Sequence, residues 1–112
     1  MRMFEWGTSP IVVRSGFYCE YCGTDLLSHP RLFESLTFDH FRPRSRGGAD
    51  HLSNRIVCCA ACDRWKKSYV PASIADARLL LAEIRLRTMP HLERYRVAFR
   101  PFAADVQIGG AV

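Results

Sequence analysis

The stretch Phe38-Asp39-His40-Phe41-Arg42-Pro43-Arg44-Ser45-Arg46-Gly47-Gly48, followed by Leu52-Ser53-Asn54-Arg55-Ile56-Val57, decides the fold because of what flanks it. On either side stand two Cys-x-x-Cys pairs, Cys19-Glu20-Tyr21-Cys22 and Cys59-Ala60-Ala61-Cys62. Two thiolates at i and i+3 suit one metal ion, and two such pairs complete a tetrahedral structural zinc site. Cys19, Cys22, Cys59 and Cys62 are therefore the expected Zn²⁺ ligands, and the residues held between them become the working part. The fifth cysteine, Cys58, adjoins the second pair out of register and is spare.

The intervening segment reads as a hairpin inserted between two knuckles. Leu36-Thr37-Phe38-Asp39-His40-Phe41 is rich in β-formers and predicts a strand. From Arg42 to Asp50 a loop is expected, where Pro43 forbids regular pairing and Gly47-Gly48 supplies positive-φ geometry. Arg55-Ile56-Val57-Cys58 predicts a short second strand, and a helix should run from near Ala60 to about Ser68, ending before Pro71.

The flanks are less specific. Ile11-Val12-Val13 suits a short strand or a helix start, broken by Ser15-Gly16, and Thr24 to Ser35 reads as a variable loop punctuated by His29-Pro30. Phe17, Tyr18 and Tyr21 are available to cover the first knuckle. Ser73-Ile74-Ala75-Asp76 is a capping-box variant, after which Ile74, Ala77, Leu80, Leu81 and Ile84 recur at helical spacing to about Arg87. Pro90 is expected to open a further short helix through Phe99, and residues 103–112 to form a loose tail. Trp65 and Tyr69, four apart, are expected in the core, while His29, His51 and His91 have no partner at ligand spacing.

With 112 residues, 48% of them apolar and 24% charged, the composition is that of a globular protein small enough for a metal to matter. No run of apolar residues is long enough to span a membrane, and Met1 to Gly7 lacks the apolar run expected of a secretory signal. A cytoplasmic, reducing setting is the expectation, in which five cysteines argue for metal over disulfides. The formal charge is +5, and its placement is informative. Between His40 and Tyr69 stand Arg42, Arg44, Arg46, Arg55, Arg64, Lys66 and Lys67 against only Asp50 and Asp63, so the whole excess lies around the motif. That is the footprint of a polyphosphate-binding surface.

Phosphodiester cleavage requires an activated water, a cation at the phosphate, and a frame holding both in line. His40, beside a carboxylate, suits the base, and Asp39 suits a hard divalent cation. Neighbours on an ideal strand point to opposite faces, so the two can serve one site only where the strand bends or ends. Taken singly, each residue has a plainer role: His40 as a structural histidine, Asn54 as a turn residue, Asp63 as a first-turn acid favoured by the helix dipole. Their joint spacing changes that reading, with thirteen residues between His40 and Asn54 and eight between Asn54 and Asp63.

The segment from about Phe17 to Lys67 resembles the HNH endonuclease family, of the zinc-stapled type. The resemblance implies an α+β fold: a small ββα-metal core stapled by a four-cysteine zinc site, with flanking C-terminal helices. Together with the helical pattern of the C-terminal flank, a single nuclease domain over 1–100 is expected (motif core 17–69, helical extension 72–100), followed by a tail at 101–112. By position, His40 is implied as general base, Asn54 as the brace of the loop carrying it, and Asp39 with Asp63 as ligands of a catalytic Mg²⁺ or Mn²⁺. Asp63 departs from the His or Asn usual at the third position. The expected partner is DNA, with RNA not excluded, and Arg42, Arg44, Arg46, Arg64, Lys66 and Lys67 are the expected phosphate contacts. Two rivals stand beside the endonuclease: a DNA-binding module of the same fold whose catalysis Asp63 has weakened, and a subunit of a homodimer or larger assembly docking through the helix Ile74–Leu86.

Overall fold

The computed structural model describes residues 9–103, so the expectations for the N-terminal seven residues and for the tail beyond Ala103 lie outside the described residues. Helix α1 (Ser9–Ser15) begins with Pro10 in its first turn, where a missing N–H costs nothing. It buries Ile11 and Val12, and ends at Gly16 (φ 61°), whose amide donates to Val12 O at 2.8 Å. Of the two readings open for Ile11-Val12-Val13, helix holds.

The expected loop from Thr24 to Ser35 is corrected in its second half, where Pro30–Ser35 forms helix α2. The His29-Pro30 punctuation is in fact a helix start: the His29 ring accepts from Arg31 N and Pro30 occupies the first turn. Strands β1 (Thr37–His40) and β2 (Arg55–Cys58) then pair antiparallel, with Asp39 opposite Ile56 and His40 opposite Arg55. The loop between them holds two 3-10 turns, Arg44–Arg46 and Leu52–Asn54. Gly47 takes the left-handed conformation (φ 82°). Gly48 answers a different need, since a Cβ there would stand 1.7 Å from Arg42 O. The loop closes on itself too tightly for any side chain at that point.

Helix α3 (Ala60–Lys66) starts at Cys59, whose Sγ accepts from Cys62 N, and stops at Lys67 with φ 47°. The ββα succession is thus present, and Val57, Cys58, Cys62 and Leu26 are buried at its centre. Trp65 is half-buried, but Tyr69 is 42% exposed, so only one of this expected core pair is turned inward.

Helix α4 (Ile74–Phe99) begins as expected: Asp76 N donates to Ser73 Oγ, and the Asp76 carboxylate takes Ala72 N and the Tyr69 hydroxyl. Its continuation is a correction, because Pro90 lies inside one unbroken helix and does not open a second. Proline removes one backbone hydrogen bond, whereas the Leu-, Arg- and Glu-rich turns on both sides favour helix. The chain divides into two compact units, Met1–Ala82 and Glu83–Val112. In the first, Ala77 and Leu81 of α4 are buried; in the second, Leu86, Met89, Leu92, Tyr95 and Phe99 are exposed.

Candidate active site and metal centre

The four knuckle cysteines converge, with all their Sγ atoms within 4.8 Å of one another. A tetrahedral zinc–thiolate site with arms of about 2.3 Å has edges of about 3.8 Å. The Cys22–Cys59 pair, one from each knuckle, stands at 3.8 Å. Each knuckle closes in the same way, Cys22 N on Cys19 Sγ and Cys62 N on Cys59 Sγ, both at 3.4 Å. These N–H donors stabilise thiolate charge. Hydrogen bonding with Cys19 pulls the Cys22 thiol far down and pushes the Cys59 thiol up, as sulfurs sharing protons must. The donor set fits zinc, whose charge replaces those shared protons. Cys58 is spare, as expected: it is buried against Thr37, and burial raises its thiol to about 12.

Glu20, inside the first knuckle, ties that loop to the sheet. Its carboxylate accepts from Val57 N at 2.8 Å and from the Arg14 guanidinium at 2.7 and 2.8 Å, which in turn donates to Arg55 O.

Asn54 lies at the end of the loop and holds it shut. Its Oδ1 accepts from Arg42 N at 2.8 Å, and its Nδ2 donates to Arg42 O at 3.0 Å and Ala49 O at 2.7 Å. Its own carbonyl accepts from Phe41 N, next to His40. His40, where β1 ends, places Nε2 3.1 Å from Asp50 Oδ1, and Arg55 donates to the same oxygen at 3.3 Å. The hydrogen bond from His40 holds the Asp50 carboxyl below the usual range, with the charges of Arg44 and Arg55 adding to it. Asp50 carried no signal in the sequence beyond its place in the basic loop.

Asp39 looks elsewhere, as strand alternation requires. Its Oδ2 accepts from the Tyr21 hydroxyl at 2.8 Å and lies 3.0 Å from Lys66 Nζ. That ammonium also donates to His40 O at 3.2 Å and stands 6.0 Å from the Phe41 ring centre. The two side chains are 13% and 1% exposed, so this is an interior ion pair. Burial, and then the Asp39 charge, pushes the Tyr21 hydroxyl well above its ordinary value and keeps it a donor. Lys66 is therefore a correction, since a lysine turned inward onto Asp39 cannot serve as a surface phosphate contact.

Asp63 sits in the first turn of α3, half-buried, its carboxylate making no hydrogen bond or ion pair among the described residues. The charges of Asp63 and Asp39 both add to the upward shift of the Cys58 thiol, after burial. The oxygens of Asp39 and Asp63 suit a hard divalent cation. Oδ1 of Asp39 carries no hydrogen bond among the described residues, whereas Oδ2 is already engaged twice. Among the described residues, the cysteine quartet is the only set of three or more His, Cys, Asp or Glu side chains within ligand reach of one another.

Arg42, Arg44, Arg46, Arg64 and Lys67 are exposed, and Arg42 Nε also donates to Arg46 O across the loop. A cleft of about 680 Å³, lined by Arg14, Tyr18, Glu20, Ile56 and Arg78 among others, contains none of the expected catalytic side chains. No helix among the described residues is long and apolar enough to cross a membrane.

Comparison with curated proteins and with solved structures returns no match. The sequence model of the HNH endonuclease family does match, over residues 19–68, from the first knuckle cysteine to just past α3. That span holds the whole four-cysteine cluster, both strands and the Asn54-clamped loop, so it is over residues 19–68 that this chain is similar to the HNH endonuclease family.

Proposed function

We propose that this protein is a metal-dependent endonuclease that hydrolyses DNA phosphodiester bonds. The observation that carries the reading is the Asn54 clamp, which closes the loop from Arg42 to Ala49 directly behind His40 and Asp50. With Asp50 ionised, Nε2 of His40 carries the proton it donates, and Nδ1 keeps the lone pair that takes a proton from water. Asn54 fixes the loop, and Arg42, Arg44, Arg46, Arg64 and Lys67 engage the phosphates. Asp39 and Asp63 would hold Mg²⁺ or Mn²⁺, which supplies Lewis acidity at the scissile phosphate and stabilises the leaving oxygen. The cysteine-bound zinc is structural, since four thiolates leave no open position. Reduced thiolates in turn suit a reducing, cytoplasmic setting.

The second reading is a DNA-binding module of the same fold with weakened catalysis, favoured by the ammonium of Lys66 on Asp39. Plasmid cleavage in Mg²⁺ or Mn²⁺, with Asp63→Ala alongside, separates the two. The endonuclease cuts and loses most activity in the variant, whereas the binding module retains supercoiled plasmid in every lane. RNA in place of plasmid tests the wider substrate class.

A further inference from the structure

We infer that Lys66 is a resident cation at Asp39, and that divalent metal enters the site by displacing its ammonium. The inference rests on Asp39 being a metal ligand, as proposed above. Three observations support it. The Lys66 side chain is 1% exposed, although a lysine on a seven-residue surface helix ordinarily reaches water. Its Nζ is not merely buried but directed, 3.0 Å from Asp39 Oδ2 and 3.2 Å from His40 O. The Asp39 carboxylate is 13% exposed and receives the Tyr21 hydroxyl on the same oxygen.

An interior carboxylate needs a counter-charge, and the chain supplies one of its own. A divalent ion at Asp39 cannot share that space, because an ammonium and a dication a few ångströms apart in a low-dielectric site repel strongly. Displacement makes and breaks no covalent bond, and the lysine leaves as a cation with its protons. The Asp39 carboxylate thus stays compensated at every metal concentration. Metal affinity is set by the difference between two cations competing for the same carboxylate, not by the carboxylates alone.

The test is Mn²⁺ binding by zinc-loaded full-length protein, read from the electron paramagnetic resonance of the free ion. Lys66→Met keeps the side-chain volume and removes the charge. It should bind Mn²⁺ at least tenfold more tightly than the parent, and the gain should vanish in Lys66→Met with Asp39→Asn. Equal affinity in Lys66→Met and parent overturns the inference. Should Lys66→Met fail to fold, the parent decides: acylation of the Lys66 amine, mapped by mass spectrometry, should be slow alone and faster at saturating Mn²⁺, and an unchanged rate overturns the exchange. Tighter Mn²⁺ binding without DNA cleavage by any variant would sink the nuclease reading and leave the exchange standing. Cleavage by the parent with unchanged affinity in Lys66→Met would do the reverse.

Discussion

Asn54 holds both backbone polar groups of Arg42, its Oδ1 accepting the amide at 2.8 Å and its Nδ2 donating to the carbonyl at 3.0 Å. With the third bond to Ala49 O, one carboxamide spans the loop whose tight closure at Gly48 leaves no room for a Cβ. Asn54→Ala removes all three bonds. It should cost roughly 1–3 kcal/mol of stability in thermal or urea melts, and should reduce cleavage by far more than it reduces DNA affinity. Asn54→Asp keeps an acceptor for Arg42 N but cannot donate to Arg42 O or Ala49 O, so it should rescue little.

The zinc prediction follows from the cysteine quartet. Elemental analysis should find one zinc per chain, and strong chelators or Cys19→Ser should unfold it, because a core this small draws much of its folding free energy from such a metal. Cys58→Ala should leave zinc content unchanged, as its thiol faces Thr37 and not the quartet. Cooperative, unaltered melting of metal-free protein would remove the zinc staple from the account.

Asp50 gives a pH signature of the His40 contact. Its folded pKa is lowered, so the stability it adds is present above the ordinary carboxylate pKa of about 3.9 and is lost as pH falls through the folded value. Carbon-13 titration should place the Asp50 carboxyl below that ordinary value. In His40→Ala it should move back up, since His40 is the largest cause of the depression.

The basic residues should divide into two classes. Arg44→Ala and Lys67→Ala should each weaken DNA binding across sequences and flatten its salt dependence by about 0.9 in log–log slope, without changing the melting temperature. Lys66→Ala should do the opposite, leaving the salt slope intact and destabilising the fold by about 3–5 kcal/mol, the range for breaking one side of a buried pair.

How much of this was legible in sequence depends on the range of the interaction that fixes each residue. The knuckles, both strands and the α3 start are local patterns, and Arg55–Cys58 appears with the expected bounds. The Ser73–Asp76 cap was legible for the same reason. Whether a lysine among basic neighbours turns inward is decided by a carboxylate on another element, and nothing near Lys66 reveals Asp39. Asp50 likewise meets His40 only because the loop folds back under the Asn54 clamp. Pro30 and Pro90 show local punctuation cutting both ways, opening α2 where a loop was expected and failing to interrupt α4.

Activation of water by His40, within a frame built by Asn54, is read from plasmid cleavage in Mg²⁺ or Mn²⁺ with His40→Ala as the paired variant. The parent should convert supercoiled plasmid while His40→Ala loses cleavage by about 10²-fold or more, in the range of general-base contributions, with zinc content and DNA affinity near those of the parent. Cleavage by His40→Ala at the parent rate would contradict it.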